Sequence, residues 1–170
     1  NLVIDWDGAI GDPATSFFDL KGDYGNPQNF DPQRAYFFRY ALFVHQTNNR
    51  RPVNDCTSGW AKGFTANDFF VSLGGNGPGG RTCWGTDANG FSVGTRDEQA
   101  GTFMHELGHA LGLKHGGGDD INSKPNYLSV MNYAFQSCSV TNRPVVGLPG
   151  NCDYSRYDLP DLNEILPPGL

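Results

Sequence analysis

Apolar positions fall in short bursts separated by polar, glycine-rich stretches, and the bursts predict the elements. Leu2, Val3 and Ile4 read as a short strand within residues 1–6, ended by Asp7-Gly8. Residues 10–30 carry Gly, Asp, Pro and Asn and read as an ordered loop. Asp31-Pro32 has the form of a helix start, with Asp31 as N-cap and Pro32 at the first helical position. Residues 34–46 are strongly aromatic and read as a helix running into a strand, with a border that periodicity alone does not place. Residues 68–73 (Asp-Phe-Phe-Val-Ser-Leu) predict a strand, followed by a glycine-rich run over 74–80. Residues 81–94 predict a short hairpin or irregular strand around Asp87-Ala88-Asn89-Gly90.

The clearest element comes next. Thr95-Arg96-Asp97-Glu98 matches a capping box, in which Thr95 caps the helix and Glu98 bonds back. Acidic residues in that first turn suit the helix dipole. The helix is expected to run to about Leu111, with Phe103, Met104, Leu107 and Leu111 as its apolar stripe. Gly112 offers a left-handed stop. Beyond Gly118 the pattern predicts mostly coil, with one short helix near 159–166.

Composition narrows the classes. The 170 residues suit one domain, or two small lobes sharing a cleft, and 38% hydrophobic content can build a core. A net charge of -6 without a Lys/Arg cluster argues against nucleic acid or anionic membranes as partners. No apolar run is long enough to predict a membrane span. Cys56, Cys83, Cys138 and Cys152 form no C-x-x-C pair. Four widely spaced cysteines in a loop-rich chain predict two disulfides and an oxidising, extracellular compartment. Three connectivities are open, and the sequence-local one, Cys56–Cys83 with Cys138–Cys152, is favoured because each bridge would staple one long loop. The chain starts at Asn1 without a leader pattern, which reads as a processed or trimmed form.

The chemistry lies in His-Glu-Leu-Gly-His-Ala-Leu-Gly-Leu-Lys-His, residues 105–115. Histidines at i and i+4 share one helix face, so His105 and His109 can grip one ion. Glu106 sits one position round, where its carboxylate reaches a metal-activated water without ligating the metal. His115 poses a geometric problem. A straight helix would carry it about 15 Å along the axis from His105, yet zinc–nitrogen bonds are only about 2 Å long. The chain must therefore turn sharply, and Gly112 is the residue suited to a positive φ. Five fixed residues at this spacing arise by chance with a probability on the order of 10⁻⁵ in such a chain, so coincidence is a poor explanation. Three histidines leave one zinc position open, as catalytic rather than structural sites do.

His105, Glu106, His109, Gly112 and His115 match in full the metzincin signature H-E-x-x-H-x-x-G-x-x-H, and the chain is identified by it as resembling that clan of zinc peptidases. Metzincins carry a methionine-containing turn after the third ligand, and residues 129–133 (Ser-Val-Met-Asn-Tyr) look like it. The resemblance gives Met131 the role of an apolar floor under the histidines. It gives Tyr133 the role found in astacin-like and serralysin-like branches, a fifth metal ligand at rest and an oxyanion stabiliser in catalysis. It implies an α/β (α+β) catalytic domain over 1–170, with an upper lobe (1–115) and an irregular lower lobe (116–170) flanking a horizontal cleft. The upper lobe would hold a twisted, mostly parallel sheet, a backing helix and an active-site helix. The strand over 68–73 would form the cleft edge and pair with extended substrate. Residues 134–152, with Phe135 and the loop closed by Cys138 and Cys152, would shape the primed-side pocket. Gly116 does not match the Glu, Pro, Ser or Asp by which several branches are known, so no branch follows.

The expected protein is a secreted, monomeric zinc endopeptidase acting on protein or peptide substrate, with Glu106 as general base. The alternative is a non-catalytic binding module keeping the metal fold, which the presence of Glu106 disfavours. Asp119-Asp120 and the Asp87–Gly90 turn are weaker candidates for calcium, although solvated turns explain them more simply. His45, the one histidine outside the motif, reads as a packed or surface residue.

Overall fold

A computed structural model describes residues 6–9, 21, 30–46, 56–61, 68–74, 83–138 and 152–155. Four strands form one sheet: β1 (Trp6–Ala9), β2 (Tyr40–Gln46), β3 (Gly59–Ala61) and β4 (Asp68–Ser72), in the order β1-β2-β4-β3. β1, β2 and β4 run parallel, and β3 lies antiparallel on β4 with Trp60 opposite Phe70. The α-helix α1 (Arg96–Ala110) packs against β3 and β4.

Every residue of β4 is buried, as expected of an inner strand covered on both faces. Neighbouring side chains on a strand point to opposite faces. Phe69 accordingly meets Phe103 of α1 edge-on at 5.2 Å between ring centres, while Phe43 of β2 stacks on Phe103 at 5.9 Å. Phe70 joins Leu42 and Val44 in the cluster against which Tyr40 packs. Asp68 is buried at the strand's start, where Lys21 Nζ reaches its carboxylate at 2.6 Å. That pairing removes the cost of an isolated buried charge.

The aromatic segment divides as expected. Asp31 caps a 3-10 helix, Pro32–Tyr36, through a bond from the Gln33 N–H to its carboxylate, and β2 follows. The 81–94 hairpin is present as a turn closed by a Thr86–Ser92 bridge. Asp87 accepts from the Asn89 and Phe91 N–H groups, so this candidate calcium ligand is already used in stabilising its own turn. Both favoured disulfides, Cys56–Cys83 and Cys138–Cys152, are formed.

Three expectations need correction. The first strand lies at Trp6–Ala9, so Asp7-Gly8 sits within it instead of ending it. Pairing of Trp6 with Val44 overrides the local turn preference, and Leu2, Val3 and Ile4 lie outside the described residues. The 68–73 strand is not the sheet edge, because β3 covers its outer side. Three residues, Gly-Trp-Ala, are too few to display a period-two pattern, and β3 was therefore invisible. Finally, the expected stripe of Phe103, Met104, Leu107 and Leu111 is only partly buried, although Phe103 packs on Phe43 and Phe69. Leu111 is 53% exposed, and the helix instead buries Gly101, Thr102, His105, Glu106, Gly108 and Ala110. Among these, His105 and Glu106 face the cavity, which leaves no room for a continuous apolar face. The expected backing helix is not among the described elements, and the short helix near 159–166 lies outside the described residues. Most of the 10–30 loop does so too.

Candidate metal centre

The start and end of α1 are both fixed by local bonds. Thr95 Oγ1 accepts from the Glu98 N–H, and Glu98 Oε2 accepts from the Thr95 N–H at 2.6 Å and from the Gly85 N–H at 2.9 Å. The box thus also fastens the hairpin to the helix. At the other end Gly112 adopts φ +92°, the Gly112 N–H donates to His109 O, and the Leu113 N–H donates to Gly108 O. This is a Schellman stop, which a side chain at position 112 would strain. The reversal presents Leu113 O to His109 Nδ1 at 2.9 Å and returns the chain so that His115 faces the helix.

The three imidazoles converge. His109 Nε2 lies 3.1 Å from His105 Nε2 and 3.2 Å from His115 Nε2. Tetrahedral ligands on zinc at about 2.05 Å stand about 3.3 Å apart, so the spacing fits one ion. The far side of each ring gives a second test. His105 Nδ1 is 3.0 Å from Val130 O, His109 Nδ1 is bonded to Leu113 O, and His115 Nδ1 lies 3.3 Å from Asp120 Oδ1. Carbonyl and carboxylate oxygens only accept, so each Nδ1 is the donor, and in the neutral ring that tautomer leaves Nε2 a lone pair. Three lone pairs pointed together repel one another unless a cation lies between them. The residues fit a metal, and among the described residues this is the one His/Cys/Asp/Glu group with that convergence.

Burial agrees with this reading. It lowers the His105 imidazole to about 4 and lowers that of His109 as well, which keeps both rings neutral and able to ligate. Burial also pushes the Glu106 carboxyl up to about 8. A bound cation offsets such desolvation by favouring the carboxylate.

Met131 is fully buried against Gly108. A Cβ on Gly108 would collide with the Met131 sulfur, so the glycine between the two helical histidines lets the methionine close up. Asn132, also fully buried, organises the turn. Its Nδ2 donates to Lys124 O and Tyr127 O, and its Oδ1 accepts from the Ala134 N–H. Val130 N–H donates to Asp153 O at 2.8 Å, and Tyr154 donates its hydroxyl proton to Met104 O at 2.6 Å. The Cys138–Cys152 bridge therefore anchors a segment that supports both the turn and α1. Tyr133 is 57% exposed, with its ring centre 5.3 Å from that of His105 and 4.7 Å from that of His115.

A cavity of about 290 Å³ opens here. Its floor holds the three histidines, Glu106 and Tyr133, and its rim is Thr57 with β3. Gly59 passes so close that a Cβ there would stand 2.8 Å from the Glu106 carboxylate. Asp119 and Asp120, the other calcium candidates, are engaged by Lys124 and His115. His45 stands on β2, away from the cavity lining.

A family model described as Metallo-peptidase family M12B Reprolysin-like matches residues 39–116, a little under half of the chain. The match runs from β2 through the third histidine and so includes all three histidines that converge. Both marks make the chain similar to the metzincin-clan zinc metallopeptidases. No curated protein and no solved structure matches it. Sequence reasoning singled out the histidines, Glu106, Gly112, Met131 and Tyr133; the structure brings the histidines, Glu106 and Tyr133 to one cavity, with Gly112 at the helix stop and Met131 against Gly108. It missed β3, Gly108, Asn122, Asn132 and Tyr154, and it marked Asp120 as a calcium candidate where the structure sets it against His115. Only Gly108 and Asn132 carried a signal, by standing inside the two motifs.

Proposed function

We propose that the chain is a secreted endopeptidase that hydrolyses internal peptide bonds, with His105, His109 and His115 as zinc ligands and Glu106 as general base. The observation that carries the reading is the convergence of three imidazole Nε2 atoms beside a buried carboxylate at an open cavity. Zinc, when bound, supplies Lewis acidity to water and to the scissile carbonyl. Glu106 takes a proton from the attacking water and hands it to the departing amine, so that one water and one peptide bond become a carboxylate and an amine. Tyr133 donates its hydroxyl to the carbonyl oxygen as charge gathers there. β3, at the end of the sheet, offers its outer backbone to an extended substrate. In this reading residues 1–115 form the upper lobe of one catalytic domain and 116–170 the lower. The two disulfides support an extracellular setting.

The test compares the parent protein with Glu106→Ala on unfolded casein and a quenched-peptide library, with zinc measured in both. One zinc in each and internal cleavage by the parent alone is the expected result. Zinc in both with cleavage by neither would remove catalysis from the reading.

A further inference from the structure

The loop over 116–124 carries two side-chain bonds that reach out to the site. Asp120 Oδ1 stands 3.3 Å from His115 Nδ1, and Asn122 Oδ1 accepts from the Tyr133 N–H at 3.0 Å. One short loop thus touches both the third histidine and the tyrosine that closes the cavity.

The loop is itself held in shape. Lys124 Nζ donates to both oxygens of the Asp119 carboxylate, at 2.8 and 2.7 Å, and to Gly116 O at 3.3 Å. Gly116 N–H donates to Asp119 O at 2.9 Å, and the Ile121 N–H donates to Asp119 Oδ1. The chain is folded back so tightly that a Cβ on Gly116 would collide with the Asp119 carboxylate and with Ile121 O. Ser123 takes φ +59°, a left-handed conformation that a non-glycine residue adopts only when its surroundings impose it. Lys124 O in turn accepts from the buried Asn132 amide, which ties the loop to the methionine turn. Loop, turn and third histidine are therefore one connected unit.

We propose that Asp120 and Asn122 are positioning residues. Asp120 fixes the tautomer and tilt of His115 so that its Nε2 faces the metal, and Asn122 holds the backbone of Tyr133 so that its ring stays over the histidines. The inference rests on the zinc reading above. A carboxylate behind a ligating imidazole makes it a better donor, and losing one typically weakens metal binding about 10- to 100-fold. Asp120 is about half exposed, so water screens it and the lower end applies.

Zinc affinity measured by competition with a chromogenic chelator tests the first half. Asp120→Ala is expected to bind zinc roughly tenfold more weakly than the parent, with an unchanged far-UV spectrum, and Asp120→Glu to recover part of the loss. Equal affinity in parent and Asp120→Ala, or equal loss in the Ala and Glu variants, overturns it. For the second half, Asn122→Ala should keep the parent's zinc affinity and KM while kcat falls several-fold, and Asn122→Asp, which keeps the acceptor, should restore kcat. An unchanged kcat in Asn122→Ala, or a KM that rises in step with the loss, overturns that half. A parent protein that binds no zinc would instead sink the metal reading itself, a result distinct from either of these.

Discussion

The two sides of the metal centre are built by different means. His105, Glu106 and His109 ride on α1, whose cap, spacing and stop are all bonds between residues a few positions apart. His115 and Tyr133 sit on irregular chain, where Asp120 and Asn122 contact them directly and Asn132 and Asp153 tie down the adjoining loop and turn, residues with little regular spacing. Regular backbone places a ligand through geometry that any helix supplies. Irregular backbone needs a dedicated side chain for each group it places. The helical side should therefore tolerate changes around its ligands, and the loop side should lose function through residues that touch neither metal nor substrate.

The widest effect should come from removing the metal, which joins the two sides. Zinc at about 100 times its Kd is expected to stabilise the fold by about 2.7 kcal/mol, read as a fall in Tm on adding a chelator and its recovery with zinc. The stripped protein should also show two opposed pH limbs. His105 is depressed from 6.5 to about 4 in the fold, so its contribution is present above pH 6.5 and lost as pH falls through 4. Glu106 is raised from 4.5 to about 8, so its contribution is present below pH 4.5 and lost as pH rises through 8. Glu106→Gln should flatten the alkaline limb of a stability-versus-pH curve and leave the acid limb. A variant that keeps both limbs would show that the carboxyl is not the group responsible.

The Cys138–Cys152 bridge should rank close behind. Closing a loop of about 15 residues is worth roughly 3 kcal/mol in the chain-entropy model, although measured values run lower. The double variant Cys138→Ser/Cys152→Ser frees the segment whose Asp153 O and Tyr154 hydroxyl hold Val130 and Met104. Denaturant unfolding should report the loss, and zinc affinity should fall with it because Val130 O also fixes His105. Loss of stability without loss of affinity would mean that the helical side stands alone.

Asn132→Ala removes three hydrogen bonds at a fully buried position and takes from the Ala134 N–H its acceptor, while Lys124 O keeps the Tyr127 N–H and Tyr127 O the Ser129 N–H. A cost of about 1–3 kcal/mol is expected from the group left without a partner. Because the same amide joins the 116–124 loop to the methionine turn, kcat should fall more than zinc affinity does. Equal falls in both would place the asparagine's effect on the metal instead of on Tyr133.

What the sequence made legible follows the same division. Thr95, Glu98 and Gly112 act within one turn of chain, and the cap and the Schellman stop were readable from residue types alone. Asp31 and Pro32 were legible for the same reason. β3 was hidden because it is three residues long and owes its existence to pairing with β4. Asp120 and Asn122 look like ordinary loop polar residues, and only the fold aims them at His115 and Tyr133. The apolar stripe of α1 was legible only in part for a related reason: Phe103 packs on the sheet, but with His105 and Glu106 turned to the cavity and Gly108 pressed on Met131, Leu111 is left exposed.

The smallest effect expected is the most useful control for the comparison. Thr95→Ala removes the cap while leaving every group at the cavity in place, and should cost about 1 kcal/mol in thermal or denaturant unfolding. The cap lies at the opposite end of α1 from His109, and Glu98 retains its bond from the Gly85 N–H. Loosening therefore should not travel the length of the helix to the histidines, and zinc affinity should match the parent's. If Thr95→Ala instead weakens zinc as much as Asp120→Ala does, the helix is not an independent platform. Both sides would then answer to global stability, and the contrast between local and dedicated placement would fail.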